Sequence, residues 1–303
     1  MFVVKYRKIF YTVSAFLVIA SLSAIAIWGL NYGIDFKGGS IIEIEYIKDR
    51  PVQTDLFAKL SSLELKETVR PTGDNGYIIK MRSINADEKI ELNKALGSFG
   101  TTTEKRFDSI GPVLGTEALR KSVTSIIFVI LAIVLFIAFA FRHVSDPVKS
   151  WKYGLIAIIA LIHDVIIPTG VFAVLGHFKG YEVDTLFVTA LLVILGFSVH
   201  DTIVVFDRVR ENLKNAEGRK PFDLIVGESI SQTFTRSINT SLTTLLALVV
   251  LYFVGGSSTE HFSLALIIGI VAGTYSSIFL GSPLLVTVWK WQEGRKKDVK
   301  GKR

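Results

Sequence analysis

The sequence is poor in the residues that build disulfides and metal–thiolate sites. Of its 303 residues none is cysteine, two are methionine, five are histidine and seven are proline. The lack of cysteine excludes disulfides and thiolate metal centres, although it does not identify a compartment. Charged residues make up only 20% of the chain, hydrophobic residues make up 50%, and the mean hydropathy is +0.47. This balance excludes an ordinary soluble domain and is typical of a polytopic membrane protein.

The net charge of +7 does not indicate a nucleic-acid-binding protein. The basic residues stand beside long apolar runs and do not form a patch on one soluble face, and such flanks set the orientation of membrane spans. We therefore expect contact with membrane lipid and no nucleic-acid partner.

Charge is nearly absent from six stretches, each close to the roughly 20 residues that a helix needs to cross a bilayer. The first stretch could be a cleaved signal peptide, but it continues past Ala26 and exceeds the apolar length of about 7–15 residues that such peptides have. We therefore predict a retained anchor. The predicted spans are 9–30, 123–141, 153–176, 185–206, 238–254 and 262–289.

Lys and Arg are concentrated in alternate connections between these spans. The segment 1–8, the connections after spans 2 and 4, and the tail 290–303 are basic, whereas the loops 177–184 and 255–261 contain only Lys179. This bias places both termini in the cytoplasm. The segment 31–121 then lies outside, and residues 122–289 complete the membrane bundle.

The outside segment has the pattern of a small folded domain. Strand-like, alternating stretches such as "GGSIIEIEYI" are separated by two helical stretches, and Asn85 is a candidate N-cap of the second helix. The order β-α-β-β-α-β predicts a ferredoxin-like arrangement. The predicted fold class is therefore an α-helical membrane protein with six transmembrane helices and one small α+β extracytoplasmic domain.

The connection 209–235 has apolar residues on one helical face, and the pattern predicts an amphipathic helix lying along the inner membrane surface.

Two acids fall inside predicted spans. Asp164 lies 12 residues after Lys152, roughly 18 Å along a helix, and Asp201 lies seven residues before Arg208, roughly 10 Å from the inner edge. A buried acid costs roughly 2.5–3.5 kcal/mol on insertion scales. We interpret the pairs His163–Asp164 and His200–Asp201 as an ion pathway; a structural ion pair is the alternative.

Span 5 offers a possible counter-charge, because Arg236 shares a helical face with the polar residues Asn239, Thr240 and Thr243. We expect this face to line the bundle interior, unless Arg236 extends to the inner interface.

Span 6 has small residues four apart, a pattern that lets helices approach closely within the bundle or against a partner. They are Gly269, Gly273, Ser277 and Gly281.

Five motifs resemble the signature blocks of the SecF family, in order and over nearly the whole chain. They are "GIDFKGG" (33–39), "GPVLG" (111–115), "LIHDV" (161–165), "GFSVHDTIVVFDRVREN" (196–212) and "SISQTFTRSINTSLTTLL" (229–246). Members of this family are subunits of the SecD–SecF accessory complex of the bacterial Sec translocase. The family is part of the resistance–nodulation–division superfamily.

The resemblance implies a role in late protein export, in which ion flow moves the outside domain and pulls on the emerging polypeptide. It implies a multi-pass protein of the bacterial cytoplasmic membrane, a SecD-like subunit as heterodimer partner, the SecYEG channel and, as a further candidate, YajC. The resemblance also implies ion-coupling roles for Asp201, Arg236 and Asp164. His200 stands where the family usually has Asn, which leaves H⁺ or Na⁺ open as the coupled ion.

The resemblance also makes the first motif, with Gly33, Asp35, Gly38 and Gly39, a family signature, for which we expect a hinge or interface role. We expect no catalytic residue, metal or cofactor.

Three alternatives remain at this stage. A small-molecule efflux half-transporter of the same superfamily would need a larger outside domain. An intramembrane aspartyl protease using Asp164 and Asp201 would need a Gly-x-Gly-Asp sequence, which neither acid has. A passive scaffold for the export machinery would need no charge inside the membrane.

Overall fold

The computed structural model describes residues 2–142, 148–217 and 219–300, and the chain divides into two units. One unit is Tyr32–Val123, and the other comprises the described residues on either side of it. The small unit agrees with the predicted outside domain 31–121 to within two residues. The last residues of the predicted basic tail, 301–303, lie outside the described residues.

The helices and strands are numbered separately in chain order. The helices are α1 (Phe2–Lys5), α2 (Arg7–Trp28), α3 (Ile34–Lys37), α4 (Gln53–Ser61), α5 (Ala86–Gly97), α6 (Pro112–Ala140), α7 (Ser150–Lys179), α8 (Thr185–Ala216), α9 (Phe222–Val254), α10 (Ser257–Tyr275) and α11 (Ser282–Lys300). A π-helical turn, Ser276–Gly281, joins α10 to α11. The strands are β1 (Gly39–Tyr46), β2 (Thr68–Thr72), β3 (Gly76–Met81) and β4 (Thr102–Ile110).

The small unit has the predicted ferredoxin-like topology. Its four strands form an antiparallel sheet in the order β2-β3-β1-β4, and α4 and α5 follow β1 and β3 in the chain. Alternate residues of β1, namely Ile42, Ile44 and Tyr46, are at most 2% exposed and pack with Leu56 and Leu60 of α4. Period-two alternation in the strand therefore builds one buried face, as the sequence pattern predicts.

Asn85 caps α5 as predicted. Its side chain accepts a hydrogen bond from the Glu88 amide at 2.9 Å, and the Glu88 carboxylate accepts one from the Asn85 amide at 2.9 Å. This reciprocal capping box satisfies two amides that helix geometry leaves unpaired. It fixes the start of α5 at the residue that the sequence indicates.

Six helical segments of the described chain are long and apolar enough to cross a membrane. They are Arg7–Trp28, Pro112–Ala140, Trp151–Lys179, Thr185–Ala216, Phe222–Val254 and Thr259–Glu293. All six predicted spans are therefore present as helices. The second helix begins at Pro112, well before the predicted start at 123, because proline is suited to the first turn of a helix.

The predicted surface helix at 209–235 is wrong. α8 continues to Ala216 and α9 begins at Phe222, so the connection is short and its residues extend the two long helices. Phe222, Val226 and Ile230 are at most 4% exposed and pack in the core of the membrane unit. The apolar face is real, but the bundle buries it instead of the membrane surface.

Candidate functional site

The two predicted acids lie inside the membrane unit and are buried. Asp164 of α7 is 0% exposed, His163 is 3% exposed, and Asp201 of α8 is 9% exposed. An ionised carboxylate removed from water loses several kcal/mol of solvation, which only close donors or a counter-charge can offset. The partners of each acid therefore decide what the site can do.

Asp164 accepts hydrogen bonds from three side chains. His163 Nδ1 lies 2.8 Å from Asp164 Oδ1, although the two residues are neighbours in sequence. Ser276 Oγ donates to Asp164 Oδ2 at 2.8 Å, and Ser198 Oγ of α8 donates to the same oxygen. Pro168 lies four residues further along α7 and has no N–H to bond the Asp164 carbonyl. Three helical segments thus converge on this acid.

Asp201 accepts a hydrogen bond on each carboxylate oxygen. Ser237 of α9 donates to Asp201 Oδ1, and Ser277 donates to Asp201 Oδ2. Hydrogen bonds to a charged group are worth about 1.5–3 kcal/mol each, so these hydroxyls offset part of the cost of burial. Asp201 is held by groups from α9 and the π-turn, in the same manner as Asp164.

The π-turn brings the two acids into one hydrogen-bonded cluster. Ser276 and Ser277 are consecutive residues, and each donates to a different acid. Pro283 follows the turn and cannot donate to a carbonyl four residues earlier, whereas the Ser282 amide bonds Ser277 O, five residues earlier. π-turns of this kind often occur at functional sites.

The small-residue stripe of α10 and the π-turn packs inside the bundle. A Cβ at Gly269 would meet Ile194 of α8, and one at Gly273 would lie 3.0 Å from Ser198 Cβ and 3.6 Å from Asp164 Oδ2. A Cβ at Gly281 would lie 3.9 Å from Ala160 Cβ of α7. Of the two roles predicted for the stripe, the structure shows packing within the bundle, and Ser277 also bonds Asp201.

Arg236 lies beside Asp201 without bonding it. Arg236, His200 and Thr240 line, with Asp201, a cavity of about 10 Å³, which is room for about one water molecule. Among the described residues, the hydrogen-bond donors to Asp201 are Ser237 and Ser277. Two hydroxyls, and not the possible counter-charge Arg236, therefore bond Asp201.

The predicted polar face of α9 points away from the interior of this chain. Arg236, Asn239, Thr240 and Thr243 are exposed, and His200 of α8 is exposed too. Within this chain the inward face of α9 is one residue further on, so the expectation that the polar face lines a bundle interior is not met by this chain alone. The buried hydroxyl residues of that face are Ser229, Thr233, Ser237 and Ser241.

The first signature motif packs against the second within the small unit. Gly38 has φ of 76°, and a Cβ there would lie 2.7 Å from Pro112 Cα. A Cβ at Gly115 would lie 2.8 Å from Gly38 N. Gly33 precedes the unpredicted short helix α3, Asp35 lies in its first turn, and Gly39 has φ of 144°. The glycines of both motifs thus permit a close backbone crossing.

Sequence reasoning does not identify Ser198, Ser237 and Ser276 as site residues. Serine is common in transmembrane helices, and nothing in its spacing separates a serine that bonds an acid from one that bonds its own backbone. Ser198 lies three residues before Asp201, yet it bonds Asp164 on another helix. Only the packing of helices reveals these partners.

Comparison with known proteins gives matches over nearly the whole chain. A family model described as protein export membrane protein SecD/SecF, C-terminal, matches residues 91–291, and one described as the SecD/SecF GG motif matches residues 24–46. The chain is 44% identical over 300 residues to the protein translocase subunit SecF of Thermobaculum terrenum, covering 94% of this chain and 93% of that protein. It is 37% identical to the protein translocase subunit SecF of Anaerolinea thermophila, covering 95% of this chain and 94% of that protein.

Among solved structures, the chain is similar to the crystal structure of SecDF, a translocon-associated membrane protein from Thermus thermophilus. The TM-score is 0.81 at 31% sequence identity, and the match covers 95% of this chain and 38% of that one. The similarity therefore includes the fold of both units but only part of the longer chain.

Proposed function

The chain belongs to the SecD/SecF family of protein export membrane proteins, and on that premise we propose that it uses the proton motive force to promote late-stage polypeptide export. As a member of this family it is a multi-pass membrane protein and an accessory subunit of Sec protein translocation. The proposed coupling element is the cluster of Asp164, Asp201, Ser276 and Ser277.

The observation that carries the proposal is the burial of two acids on neighbouring helices, each bonded by serine hydroxyls. Asp164 and Asp201 are at most 9% exposed, and Ser276 and Ser277 join them through adjacent residues. Intramembrane acids that face a bundle interior mark proton relays in pumps and transporters. A scaffold without ion coupling has no need for two such costly groups.

The proposed partners follow from the family. The chain is similar to part of SecDF of Thermus thermophilus, and a SecD-like subunit is its proposed heterodimer partner. The SecYEG channel and YajC are further proposed partners, and the emerging polypeptide is the proposed substrate. The basic flanks support a cytoplasmic location for both termini, with the small unit on the opposite side of the membrane.

The coupled ion is proposed to be a proton, with Na⁺ as the alternative. Hydroxyl donors already bond both oxygens of Asp201, and the adjoining cavity of about 10 Å³ has room for about one water molecule. A bare proton needs no coordination shell, whereas a metal cation needs several free oxygen ligands. Export that responds to a sodium ionophore and not to a protonophore would overturn this assignment.

The function is tested by replacing Asp201 in the assembled complex. In inverted membrane vesicles, we expect Asp201→Asn to abolish motive-force-driven stimulation of export, because an amide cannot gain and lose a proton. The matched control is Asp207→Asn, six residues along the same helix, where the side chain is exposed and pairs with Arg210. The control is expected to retain full stimulation.

The possible outcomes distinguish ion coupling through Asp201 from a failure of assembly and from the efflux alternative. Co-purification of a SecD-like subunit with both variants would show that assembly is intact. Normal motive-force-dependent export by the assembled Asp201→Asn complex would contradict ion coupling through this residue. A chain that purifies alone as a homotrimer would instead favour the efflux alternative.

A further inference from the structure

The two serines of the π-turn differ from the other donors to the acids because each has a second acceptor within reach. Ser276 Oγ lies 2.8 Å from Asp164 Oδ2 and 3.0 Å from Gly273 O. Ser277 Oγ bonds Asp201 Oδ2 and lies 3.1 Å from Thr274 O. A hydroxyl has one proton to donate and two lone pairs to accept. Each serine can therefore direct its proton either to an acid or to its own helix.

The charge of the acid decides which direction is favoured. An ionised carboxylate only accepts, so the serine donates to it. When a proton binds Asp201 Oδ2, the new O–H donates to Ser277 Oγ, and Ser277 keeps its own proton but turns it to Thr274 O. The same exchange at Asp164 Oδ2 turns the Ser276 proton to Gly273 O. No other bond forms or breaks, and the added proton comes from the ion pathway.

The alternative acceptors lie where the helix changes its hydrogen-bond pattern. Gly273 O already accepts the Ser276 amide, and Gly273 lies in the last turn of α10, three residues before the π-turn begins. A second donor to this carbonyl competes with that backbone bond, and such competition bends helices. Among the described residues, Ser198 and Ser237 bond only the acids. Only the π-turn serines thus connect acid charge to backbone.

We propose that Ser276 and Ser277 are positioning residues through which the charge of Asp164 and Asp201 sets the conformation of the π-turn between α10 and α11. The proposal rests on the proposed ion-coupling function and adds its first mechanical step. Other charged or titratable groups face the same acids and act on the same equilibrium. They are His163 at Asp164, Tyr275 against His163, and His200 and Arg236 around Asp201.

The experiment compares variants of the full chain in its assembled complex and follows motive-force-driven export in inverted vesicles over a range of pH. Ser277→Ala removes the redirected donor. We expect it to displace the pH profile by about one unit, since a hydrogen bond to a charged group corresponds to a shift of that size. Ser277→Thr keeps the hydroxyl and is expected to retain the unmodified profile.

The matched control is Ser263→Ala on α10. Ser263 is 0% exposed and donates to Glu260 O at 3.0 Å, the same three-residue backbone bond, but it contacts neither acid. We expect its pH profile to be unchanged. The infrared C=O stretching band of protonated carboxyl groups, recorded on the same samples, should shift in Ser277→Ala and in Ser276→Ala and stay unchanged in Ser263→Ala.

An unchanged pH profile and an unchanged carboxyl band in Ser277→Ala would overturn the proposal, as would an equal displacement in the Ser263→Ala control. If Ser277→Ala does not assemble, Ser276→Ala tests the same mechanism at Asp164. Failure of the proposed function has a different signature, because the unmodified complex would then show no response to the motive force. If the unmodified complex responds normally to the motive force and Ser277→Ala has the same pH profile, the proposed function stands and the role of the π-turn serines is contradicted.

Discussion

At the scale of single residues, serine hydroxyls bond both buried acids, Asp164 is also bonded by His163, and Arg236 bonds neither acid. A permanent Arg–Asp bond would hold the acid ionised, because moving a proton onto it would leave the arginine without its partner. Protonating an acid that serines bond costs less free energy, since a hydroxyl can change from donor to acceptor. Asp164 and Asp201 are both bonded in this reversible way. Such an environment suits groups that must change charge repeatedly.

A single tyrosine sets an alkaline limit for the small unit. Burial, with a smaller effect from Tyr77, raises the pKa of Tyr46 to about 12, and its hydroxyl donates to Leu96 O at 3.3 Å. The unfolded phenol has a pKa near 10. Because the pKa of Tyr46 is higher in the folded state, the neutral phenol stabilises the fold. This contribution is complete below about pH 10 and is lost as pH rises through about 12.

We therefore expect Tyr46→Phe to remove this alkaline dependence. The measurement is a pH titration of tyrosinate absorbance, with circular dichroism followed on the same samples of the full chain. The unmodified protein should show one more tyrosine titrating near pH 12 than the variant does. A titration in which Tyr46 ionises near pH 10, like a free phenol, would contradict the assignment.

At the scale of elements, the two glycine motifs cross with close backbone contact, and the hinge or interface role expected for the first motif stays a prediction. Gly38 has a left-handed φ of 76°, and a Cβ placed there would lie 2.7 Å from Pro112 Cα, too close for two carbon atoms. Gly38→Ala should lower the free energy of unfolding of the small unit by more than about 1–2 kcal/mol, the cost of the left-handed conformation alone.

Gly97→Ala is the matched control within the same unit. Apart from its chain neighbours and its own helix backbone, no heavy atom lies within 4 Å of a Cβ placed at Gly97, and its φ is not left-handed. This change should be neutral or stabilising by about 0.4–1 kcal/mol. Hydrogen–deuterium exchange of peptides from β1 and β3 measures both effects in the full chain. Equal protection in the two variants would show that the crossing contributes nothing to stability.

The sequence predicts elements well where one local pattern decides them. Period-two alternation locates β1, the Asn85 box locates α5, and long apolar runs with few charges locate the six membrane-spanning helices. It fails where a pattern has two physical solutions. The apolar face of residues 222–230 is equally suited to a membrane surface or to a protein core, and only the packing of α9 decides between them.

The candidate site also combines features that a local pattern decides with features that only packing decides. The cost of charge in a bilayer is enough to select Asp164 and Asp201 from the sequence alone. Their partners require the relative rotation of α7, α8, α9 and the π-turn, and a rotation of one residue, about 100°, exchanges Arg236 for Ser237. Local spacing does not determine that rotation, which depends on long-range contacts such as Gly273 against Ser198.

At the scale of the whole molecule, the membrane unit has a polar face that this chain leaves uncovered. Asn239, Thr240 and Thr243 of α9 are exposed, together with Arg236 and His200 beside the Asp201 cavity. Polar side chains facing lipid cost free energy, and an arginine costs most. By contrast, α6 exposes the large apolar side chains of Ile127, Phe128, Leu131 and Leu135. The two faces should therefore have different neighbours, a second protein for α9 and lipid for α6.

A photoreactive benzoylphenylalanine placed at either position distinguishes these neighbours in the native membrane. At Asn239 we expect cross-linking to the SecD-like subunit, because a second set of polar groups must satisfy the α9 face. At Phe128, which is 65% exposed, we expect lipid adducts and little protein cross-linking. Mass spectrometry of the cross-linked products gives the result directly. Lipid adducts at Asn239, in a complex that still contains the SecD-like subunit, would mean that the polar face is not the subunit interface and that Asp201 is coupled to ion flow from within this chain.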